Sequence, residues 1–498
     1  MSDTTETVLI AGGGIAGMCC ALALSAKGFD VTVLERDVAP PAGDADKAFF
    51  EWQRRGASQF RHPHAFLGLM CNLLQDHYPD LLDDFYAAGA RRIGFTDMLP
   101  PALLNQYTPT PEDDRLWVLM CRRATIETVL RRYLEKQPAI TFHNGAIIEN
   151  ILTHSDGEGL SATGVQLRKD SAEQLGFREI TADVIVDASG RTTKFPQWLA
   201  AHDITIEKED HDAELLYYTR HYKFKPGIDE PKTSGNKDRN AGDLGYIKFG
   251  IFPGDNGHFA LILCLHKTET DLIEAIKDGD QFDRIARSIP GLAPWVDAAK
   301  AEPTTHPFGM ADIRAVWRHY VDDDKPLVRN FFAVGDAMVR TNPLYGRGCS
   351  TSILHAHMLA DVLQAQTDPI ARALLFDRRS EDELRPIYKT SLTEDRNNIR
   401  RALHYTHPGK VKDLPGWQKK FAAAFFDALA AAVTNNIHVF RGAMRSLNLL
   451  EKPGAFLTDW RTRLIVFRYM LRGRSKNAGV RTVRGPTRQE MLQLITTT

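Results

Sequence analysis

The sequence predicts an α/β fold, and three observations indicate it. A short apolar strand, a glycine cluster and an Ala- and Leu-rich helix follow one another within residues 8–26. A second apolar strand, residues 31–34, ends directly before an acidic residue. Two later apolar strands, one ending at Asp187 and one before Gly335, each lead into a turn of small residues. Strand, glycines and helix follow in the order that a nucleotide-binding α/β unit requires.

Length and composition narrow the class of protein. The 498 residues are enough for two to four domains. Lys plus Arg number 62 and Asp plus Glu 63, so no overall positive field attracts nucleic acid, and a DNA or RNA partner is not expected. Six cysteines without C-x-x-C spacing predict reduced thiols in a cytoplasmic protein, with neither a zinc site nor a disulfide framework. Because the N-terminus is acidic and no long apolar run is present, we expect neither a signal peptide nor a membrane span.

The glycine cluster reads G-x-G-x-x-G at Gly12, Gly14 and Gly17. The first glycine permits a tight turn, the second lets a pyrophosphate approach the backbone, and the third lets helix and strand pack closely. The phosphates would lie at the helix N-terminus, and Glu35 after the second strand would accept both ribose hydroxyls. The predicted dinucleotide site comprises Gly12, Gly14, Ile15, Ala16, Gly17, Glu35 and Arg36. This motif alone does not distinguish NAD from FAD.

Three further stretches resemble the group A flavoprotein monooxygenases, which include aromatic hydroxylases and squalene epoxidases. They are "ADVIVDASGRTTKFPQWL" (182–199), "FFAVGDAMVRTNPLYGRGCSTSILHAHMLADVL" (331–363) and "MCRRATIETVLRRYL" (120–134). The family writes the second as G-D-A-x-x-x-x-P-x-x-G-x-G, matched here by Gly335, Asp336, Ala337, Pro343, Gly346 and Gly348. In the third, Arg123, Ile126 and Glu127 match the start of a family helix whose Arg reaches towards the cofactor. The resemblance implies FAD as the cofactor.

The resemblance also implies the remaining site residues. Asp336 would hold a ribityl hydroxyl, and the amides after Gly348 open a helix whose positive end favours negative charge on the reduced flavin. The implied FAD contacts are Arg123, Asp187, Gly190, Gly335, Asp336, Gly348, Cys349 and Ser350, and the implied catalytic loop contains Pro343, Gly346, Arg347 and Gly348. Arg347 replaces the Gln of the epoxidase relatives. Its charge would either hold an anionic substrate or the reduced flavin, or turn to solvent.

The implied architecture is a Rossmann-like FAD-binding domain of the GR2 type with an inserted antiparallel β-sheet substrate domain and a C-terminal helical region. The predicted boundaries are 1–200 for the first part of the FAD domain, 201–325 for the substrate domain, 326–370 for the returning FAD segment and 371–498 for the helical region. Other stretches, among them "RRGASQFRHPHAF" (54–66) and "GDLGYIKFGIFPGDNGHFAL" (242–261), look like a bacterial branch near the polyketide epoxidases and flavin halogenases. The resemblance spans residues 8–370.

The inserted sheet is predicted from its aromatic and β-branched strands and from a hairpin signal at residues 253–257. The residues expected to face the substrate cavity are Tyr217 or Tyr218, Tyr246, Phe252 and Phe259, although core packing explains them equally well. His62 and His64 form an H-x-H pair without a third ligand, so no metal site is expected. They lie either in a loop at the flavin edge or in a plain surface loop.

The predicted function is that of an FAD-dependent monooxygenase. In the resembled family, reduced flavin and O₂ give a C4a-hydroperoxide that epoxidises an alkene or hydroxylates an aromatic ring. We therefore expect a small lipophilic substrate, O₂, and either NADH or NADPH as the electron donor, directly or through a separate flavin reductase. The alternatives are a flavin halogenase, a flavin reductase or desaturase of an isoprenoid-like lipid, and a flavoprotein without enzyme activity. Residues 248–253 lack both tryptophans of the halogenase W-x-W-x-I-P pattern.

Residues 461–476 hold six basic residues and no acid, interleaved with apolar ones. This composition is typical of a helix that lies on an anionic membrane surface and of a helix packed on its own protein with its Arg side chains in solvent. The first interpretation predicts a cytoplasmic protein with peripheral membrane contact.

Overall fold

A computed structural model describes residues 5–496 except 65, 158, 233–237, 408 and 410–415. The strands are β1 (Thr7–Ala11), β2 (Asp30–Glu35), β3 (Arg91–Ile93), β4 (Val118–Met120), β5 (Ile140–Asn144), β6 (Ile148–Ser155), β7 (Leu160–Leu167), β8 (Glu179–Thr181), β9 (Val184–Asp187), β10 (Lys208–Asp212), β11 (Leu215–Phe224), β12 (Ala241–Asp243), β13 (Ile247–Pro253), β14 (His258–His266), β15 (Ala301–Pro303), β16 (Phe308–Met310), β17 (Arg314–Arg318), β18 (Val321–Asp322), β19 (Lys325–Pro326), β20 (Phe331–Ala333) and β21 (Val339–Arg340). The helices are α1 (Ile15–Ser25), α2 (Ala45–Glu51), α3 (Gly68–His77), α4 (Pro79–Ala87), α5 (Arg123–Glu135), α6 (Lys169–Leu175), α7 (Phe195–Ala200), α8 (Thr270–Ala275), α9 (Gly279–Ser288), α10 (Gly348–Ala365), α11 (Pro369–Thr406), α12 (Gly416–Asn435), α13 (Ile437–Leu447), α14 (Trp460–Leu471), α15 (Arg474–Asn477) and α16 (Arg488–Thr496).

A parallel sheet with the order β20-β9-β1-β2-β5 lies at the centre of the α/β part. Val8, Leu9 and Ile10 of β1 are fully buried, because helices cover the sheet and α1 packs against α10. Ala11 is in register with Leu34 on one side and with Asp187 on the other. The carboxyl ends of β1, β2 and β9 therefore meet at one edge, with the chain order changing direction at β1. Open α/β sheets bind ligands at such a switch point.

An antiparallel sheet with the order β12-β13-β14-β11-β15 follows in the chain, and β16 pairs with β11. The predicted hairpin at 253–257 joins β13 and β14. The turn is fixed to α5 because the buried Asp255 accepts hydrogen bonds from Arg122 and Thr125.

The two faces of this sheet pack against different neighbours. Tyr217 shares a cluster with Ile262, Cys264 and Met310 on the side of the parallel-sheet domain. The other face packs on α9 and on Met491 of α16. Tyr246 and Phe259 belong to that second face, so the expectation that they line the substrate cavity was wrong. Tyr217 lines the cavity, whereas Tyr218 packs towards the second face and Phe252 packs beside Tyr217.

The end of the chain is helical, as predicted, from α11 to α16. Its helices pack on several parts of the protein: Phe440 of α13 contacts Phe95, and Arg488 of α16 forms an ion pair with Glu269 beside the antiparallel sheet. The six cysteines are buried and unpaired. Among the helices described, none is both long and apolar enough to cross a bilayer.

The predicted fold class is confirmed: a Rossmann-like parallel sheet, an antiparallel sheet inserted between its strands, and a helical C-terminal region. The domain boundaries proposed from the sequence remain a prediction.

Candidate functional site

A cavity of about 670 Å³ begins at the edge of the parallel sheet and reaches the antiparallel sheet. One end lies against the β1–α1 turn and residues 54–59, and the other against Tyr217 and Met310. The loop 343–349 lines the cavity as well. The volume is within the range typical of small-molecule and cofactor sites.

The β1–α1 turn places a helix N-terminus at the cavity. Gly12 has a backbone φ of +110°, which residues with a side chain rarely adopt. A Cβ at Gly17 would overlap the Gly12 carbonyl oxygen. By contrast, a Cβ at Gly14 would meet no atom within 4 Å, so the space above this residue is open to the cavity. In the described part of the chain, no side chain caps the first turn of α1. Its free amides and the helix dipole favour an anionic group such as a pyrophosphate.

A second helix N-terminus, that of α10, also lies at the cavity. Gly348 and Cys349 line it, and a Cβ at Gly348 would meet no atom within 4 Å. No side chain of a described residue caps this helix. The hydroxyl of Ser350 is buried and has no hydrogen-bond partner among the described residues. This end of the cavity therefore favours a second electron-rich group.

Glu35 lines the cavity where β2 ends, as the sequence predicts. The carboxylate accepts hydrogen bonds from the Gly13 amide (2.9 Å) and the Asp37 amide (2.8 Å) and pairs with Arg54 at 3.1 Å. These contacts fix its orientation. Oε2 already meets both the Gly13 amide and Arg54, whereas Oε1 accepts from the Asp37 amide alone, so Oε1 can still bind a ribose hydroxyl.

Arg54 joins the carboxylates beside the glycine turn into one network that sequence reasoning missed. Its guanidinium donates to Glu127 at 3.0 Å and to Asp37 at 3.3 Å, and Glu127 also accepts from Arg123. Burial alone raises the pKa of Glu127, but the charges of Arg123 and Arg54 outweigh it and lower the pKa below the usual value. The only available sequence signal was the spacing of Arg123 and Glu127, four residues apart on α5.

His64 lines the cavity next to Arg123, while His62 is buried. Arg123 donates to Nε2 of His64 at 2.9 Å, so this nitrogen is the acceptor and Nδ1 donates to the His62 carbonyl, also at 2.9 Å. Burial and the charge of Arg123 lower the pKa of His64, which keeps the ring neutral. The interpretation of this segment as a plain surface loop is therefore wrong.

The two predicted aspartates differ in position. Asp187 is fully buried and accepts hydrogen bonds from Ser189 and Thr193, each 2.5 Å long, so it shapes the turn whose residues 188–192 line the cavity. Asp336 itself lines the cavity, and no described residue donates a hydrogen bond to its carboxylate. Burial raises its pKa, and nearby arginines, Arg340 first, oppose this shift.

The Gly335 turn is hydrogen-bonded to a residue of α10 that the sequence did not indicate. His355 on α10 is fully buried and accepts a hydrogen bond from the Gly335 amide through Nδ1 at 3.2 Å. Its Nε2 faces the Ser380 hydroxyl at 3.1 Å, and its ring stacks on Phe376. Burial lowers the pKa of His355 to about 3, so the acceptor nitrogen stays free of a proton.

The loop 342–347 is fastened to the long helix α11. Asp395 accepts hydrogen bonds from Asn342 and Tyr345, both at 2.7 Å. Arg347 points the same way: it donates to Ser391 at 2.8 Å and pairs with Glu394 at 3.1 Å. Its guanidinium thus neither lines the cavity nor turns freely to solvent, and it positions the loop.

Thirteen of the predicted site residues line the one cavity, and five lie behind it. The lining ones are Gly12, Gly14, Ile15, Ala16, Glu35, Arg36, Arg123, Gly190, Asp336, Pro343, Gly346, Gly348 and Cys349, and the others are Gly17, Asp187, Gly335, Arg347 and Ser350.

The cavity fits a dinucleotide that carries a second ring system. Two helix N-termini without a side-chain cap among the described residues face it, and three of the arginines that line it, Arg123, Arg191 and Arg340, provide positive charge for a diphosphate. The free carboxylate of Asp336 matches a polyhydroxyl chain. FAD has all of these groups.

Together these features define a dinucleotide-binding α/β flavoprotein. Residues 7–97 match the model of the FAD dependent oxidoreductase family. The chain is 25% identical over 467 residues to Protein Rv3254 of Mycobacterium tuberculosis, which covers 91% of each chain. It is 24% identical to the flavin-dependent halogenase gsfI of Penicillium aethiopicum over 72% of this chain and 63% of that one, so it spans less than two thirds of gsfI.

The fold is also that of a known flavoprotein structure. PqsL, a probable FAD-dependent monooxygenase from Pseudomonas aeruginosa, superposes with a TM-score of 0.58 at 17% identity, covering 82% of this chain and 99% of PqsL. Residues 7–97 therefore match an FAD-dependent oxidoreductase domain, and the chain shares its fold with PqsL.

Proposed function

We propose that this enzyme uses FAD and O₂ to insert one oxygen atom into a small lipophilic alkene or aromatic substrate, by epoxidation or hydroxylation. The observation that carries the proposal is the single cavity that joins the glycine turn, the loop 343–349 and the inner face of the antiparallel sheet. A cofactor bound at the turn would extend along the loop, which leaves the sheet end for substrate.

FAD, when bound, supplies the redox chemistry and the activation of O₂. The protein's part is to hold the cofactor. The α1 amides beyond Gly14 would bind the diphosphate, Glu35 a ribose, and Asp336 the ribityl chain. At the far end, the N-terminus of α10 would stabilise negative charge on the reduced ring.

The end of the cavity at the antiparallel sheet carries apolar side chains. Tyr217, Met310 and Pro343 line it, and the Tyr217 hydroxyl donates to the Met310 sulfur at 2.8 Å. Burial raises the pKa of Tyr217, so the side chain is neutral at ordinary pH. Such a surface binds a lipophilic molecule and excludes water from the reacting atoms.

We further propose that NADH or NADPH supplies the electrons, either directly or through a separate flavin reductase. The sequence has no second G-x-G-x-x-G motif for a nicotinamide dinucleotide. This agrees with a donor that binds only transiently.

Anaerobic reduction of the FAD enzyme tests the proposal. NADH or NADPH is mixed with the enzyme in the presence of candidate lipophilic alkenes or phenols, and flavin absorbance is followed. Reduction that accelerates with one substrate class, followed by ¹⁸O incorporation from ¹⁸O₂ into product, supports a monooxygenase. Anaerobic reduction of a C=C bond, or product without ¹⁸O, would contradict it and favour a reductase or desaturase.

Similarity to gsfI supports a second candidate, a flavin-dependent halogenase. Against it, residues 248–253 lack both tryptophans of the halogenase W-x-W-x-I-P pattern. Lys248, which stands at the first tryptophan position, does not line the cavity: its ammonium group donates to Asn398 at 2.6 Å and pairs with Asp243 at 3.3 Å. Adding chloride or bromide to the O₂-driven reaction distinguishes the two, since a halogenated product would favour the halogenase.

A further inference from the structure

Helix α14 presents an apolar stripe to solvent. Trp460, Leu464, Phe467 and Leu471 are 66%, 41%, 55% and 72% exposed. Their spacing of four, three and four residues places all four on one face of the helix. Single exposed apolar residues are common on protein surfaces, but a continuous row marks a site of interaction.

The opposite face of α14 already has its packing partner. Thr462 and Val466 are buried, and Val466 packs in a cluster with Ala428 and Ala432 of α12. The helix is therefore held in place by its inner face, and the exposed stripe is not needed to attach it to the protein.

Uncompensated positive charge surrounds the stripe. Arg461, Arg463, Arg468 and Arg472 lie on the same helix, and none of them forms an ion pair with a described acidic residue. From Asp459 to Glu490 the chain contains no other acid. Arg461 lies over the Trp460 ring and Arg472 over the Tyr469 ring, so both stems lie along the helix surface. An apolar row edged by arginines is complementary to an anionic lipid surface, in which the row enters the acyl boundary and the guanidinium groups meet headgroup phosphates.

We propose that α14 docks this protein on anionic membranes, lying in the plane of the interface. The helix has 12 residues and is about 18 Å long, whereas the apolar core of a bilayer is about 30 Å thick, so it cannot span one. The docking depends on the charge and exposure of α14 alone. It stands or falls independently of the reaction proposed above.

Vesicle co-sedimentation of the full-length FAD-loaded protein tests the proposal. Vesicles of phosphatidylcholine alone are compared with vesicles that also contain phosphatidylglycerol. We expect binding only to the anionic vesicles and a decrease on adding salt, because salt screens the arginines. The variant F467S/L471S is expected to lose at least tenfold in partitioning, and each Arg→Gln change at Arg461 or Arg468 about fivefold.

Ile370→Ser on α11 is the matched control, because it also removes an exposed apolar side chain but lies away from the stripe, and it should bind as the parent does. Trp460 provides a second readout, since its emission should shift to shorter wavelength on binding, a shift that W460F lacks. FAD content and thermal unfolding confirm that each variant is folded. Equal pelleting of the parent and F467S/L471S, or no pelleting with anionic vesicles, would overturn the proposal. Dimerisation in light scattering that F467S/L471S abolishes would overturn it too, by assigning the stripe to a second copy of the chain.

Discussion

Replacing Asp395 by Ala tests whether α11 fixes the loop that lines the cavity. Asp395 is buried, and both of its loop contacts, from Asn342 and Tyr345, reach the same carboxylate oxygen, Oδ1. The Ala variant would leave the Asn342 amide and the Tyr345 hydroxyl without this acceptor. Since a buried donor that loses its partner costs about 1–3 kcal/mol, the loss at the fully buried Asn342 destabilises the loop conformation by about that amount, and the loss at the half-buried Tyr345 adds a smaller one.

FAD affinity is the quantity to measure, because Pro343, Gly346 and Gly348 of this loop line the cavity. We expect the Kd of FAD, from fluorescence titration of the apoprotein, to rise at least tenfold, which corresponds to about 1.4 kcal/mol. Tyr345→Phe, which removes one of the two hydrogen bonds, should give a smaller rise.

Asp395→Asn is the matched control. Its carbonyl oxygen can accept both hydrogen bonds, so FAD should bind almost as in the parent. An Ala variant with unchanged Kd would refute the idea that α11 positions the loop. An Asn variant as weak as Ala would show that the charge of Asp395 matters rather than its hydrogen bonds.

Three other predictions concern the remaining parts of the site. Gly14→Ala should fold normally but lose FAD affinity, because its Cβ enters the open space above the turn. Gly17→Ala should also lower the melting temperature, because its Cβ overlaps a backbone carbonyl oxygen. Thermal unfolding and FAD titration distinguish the two effects. Glu127→Gln should lower the free energy of unfolding by about 3 kcal/mol, since it breaks a buried ion pair. Glu173→Gln, at the exposed Lys169–Glu173 pair, should change it by less than about 0.5 kcal/mol in denaturant titrations. Burial lowers the pKa of His355 to about 3 in the folded protein. The stability associated with its neutral ring is therefore fully present above the unfolded pKa and is lost as the pH falls towards 3. In His355→Gln, the free energy of unfolding should fall less steeply with decreasing pH, by up to about 1.4 kcal/mol per pH unit.

The sequence predicted well those parts of the site that depend on local structure. Gly12 and Gly14 occupy the turn that their spacing predicts, and Glu35 ends the strand next to it. Each of these positions is determined by a strand, a turn and a helix that are adjacent in the chain, so a few residues are enough to specify them.

The orientation of the antiparallel sheet was harder to predict. Every residue of β14, from His258 to His266, is buried, so the strand lacks the alternation of apolar and polar residues that indicates which face points inward. Phe259 and Tyr246 were therefore assigned to the cavity on composition alone. Their actual neighbours include Met491, more than two hundred residues later, which no local pattern indicates.

Arg347 shows why the role of a charged residue depends on distant partners. By its position in the motif it was expected at the flavin or in solvent, but Ser391 and Glu394 on α11 bind its guanidinium. The N-terminus of α10 still lies at the cavity, without a side-chain cap from a described residue. Positive potential near the proposed flavin therefore comes from the dipole of α10 and from arginines that line the cavity, such as Arg123 at the start of α5, and not from the motif arginine. Arg347 instead couples the loop to α11, so changes on this helix, outside the cavity, should alter cofactor binding.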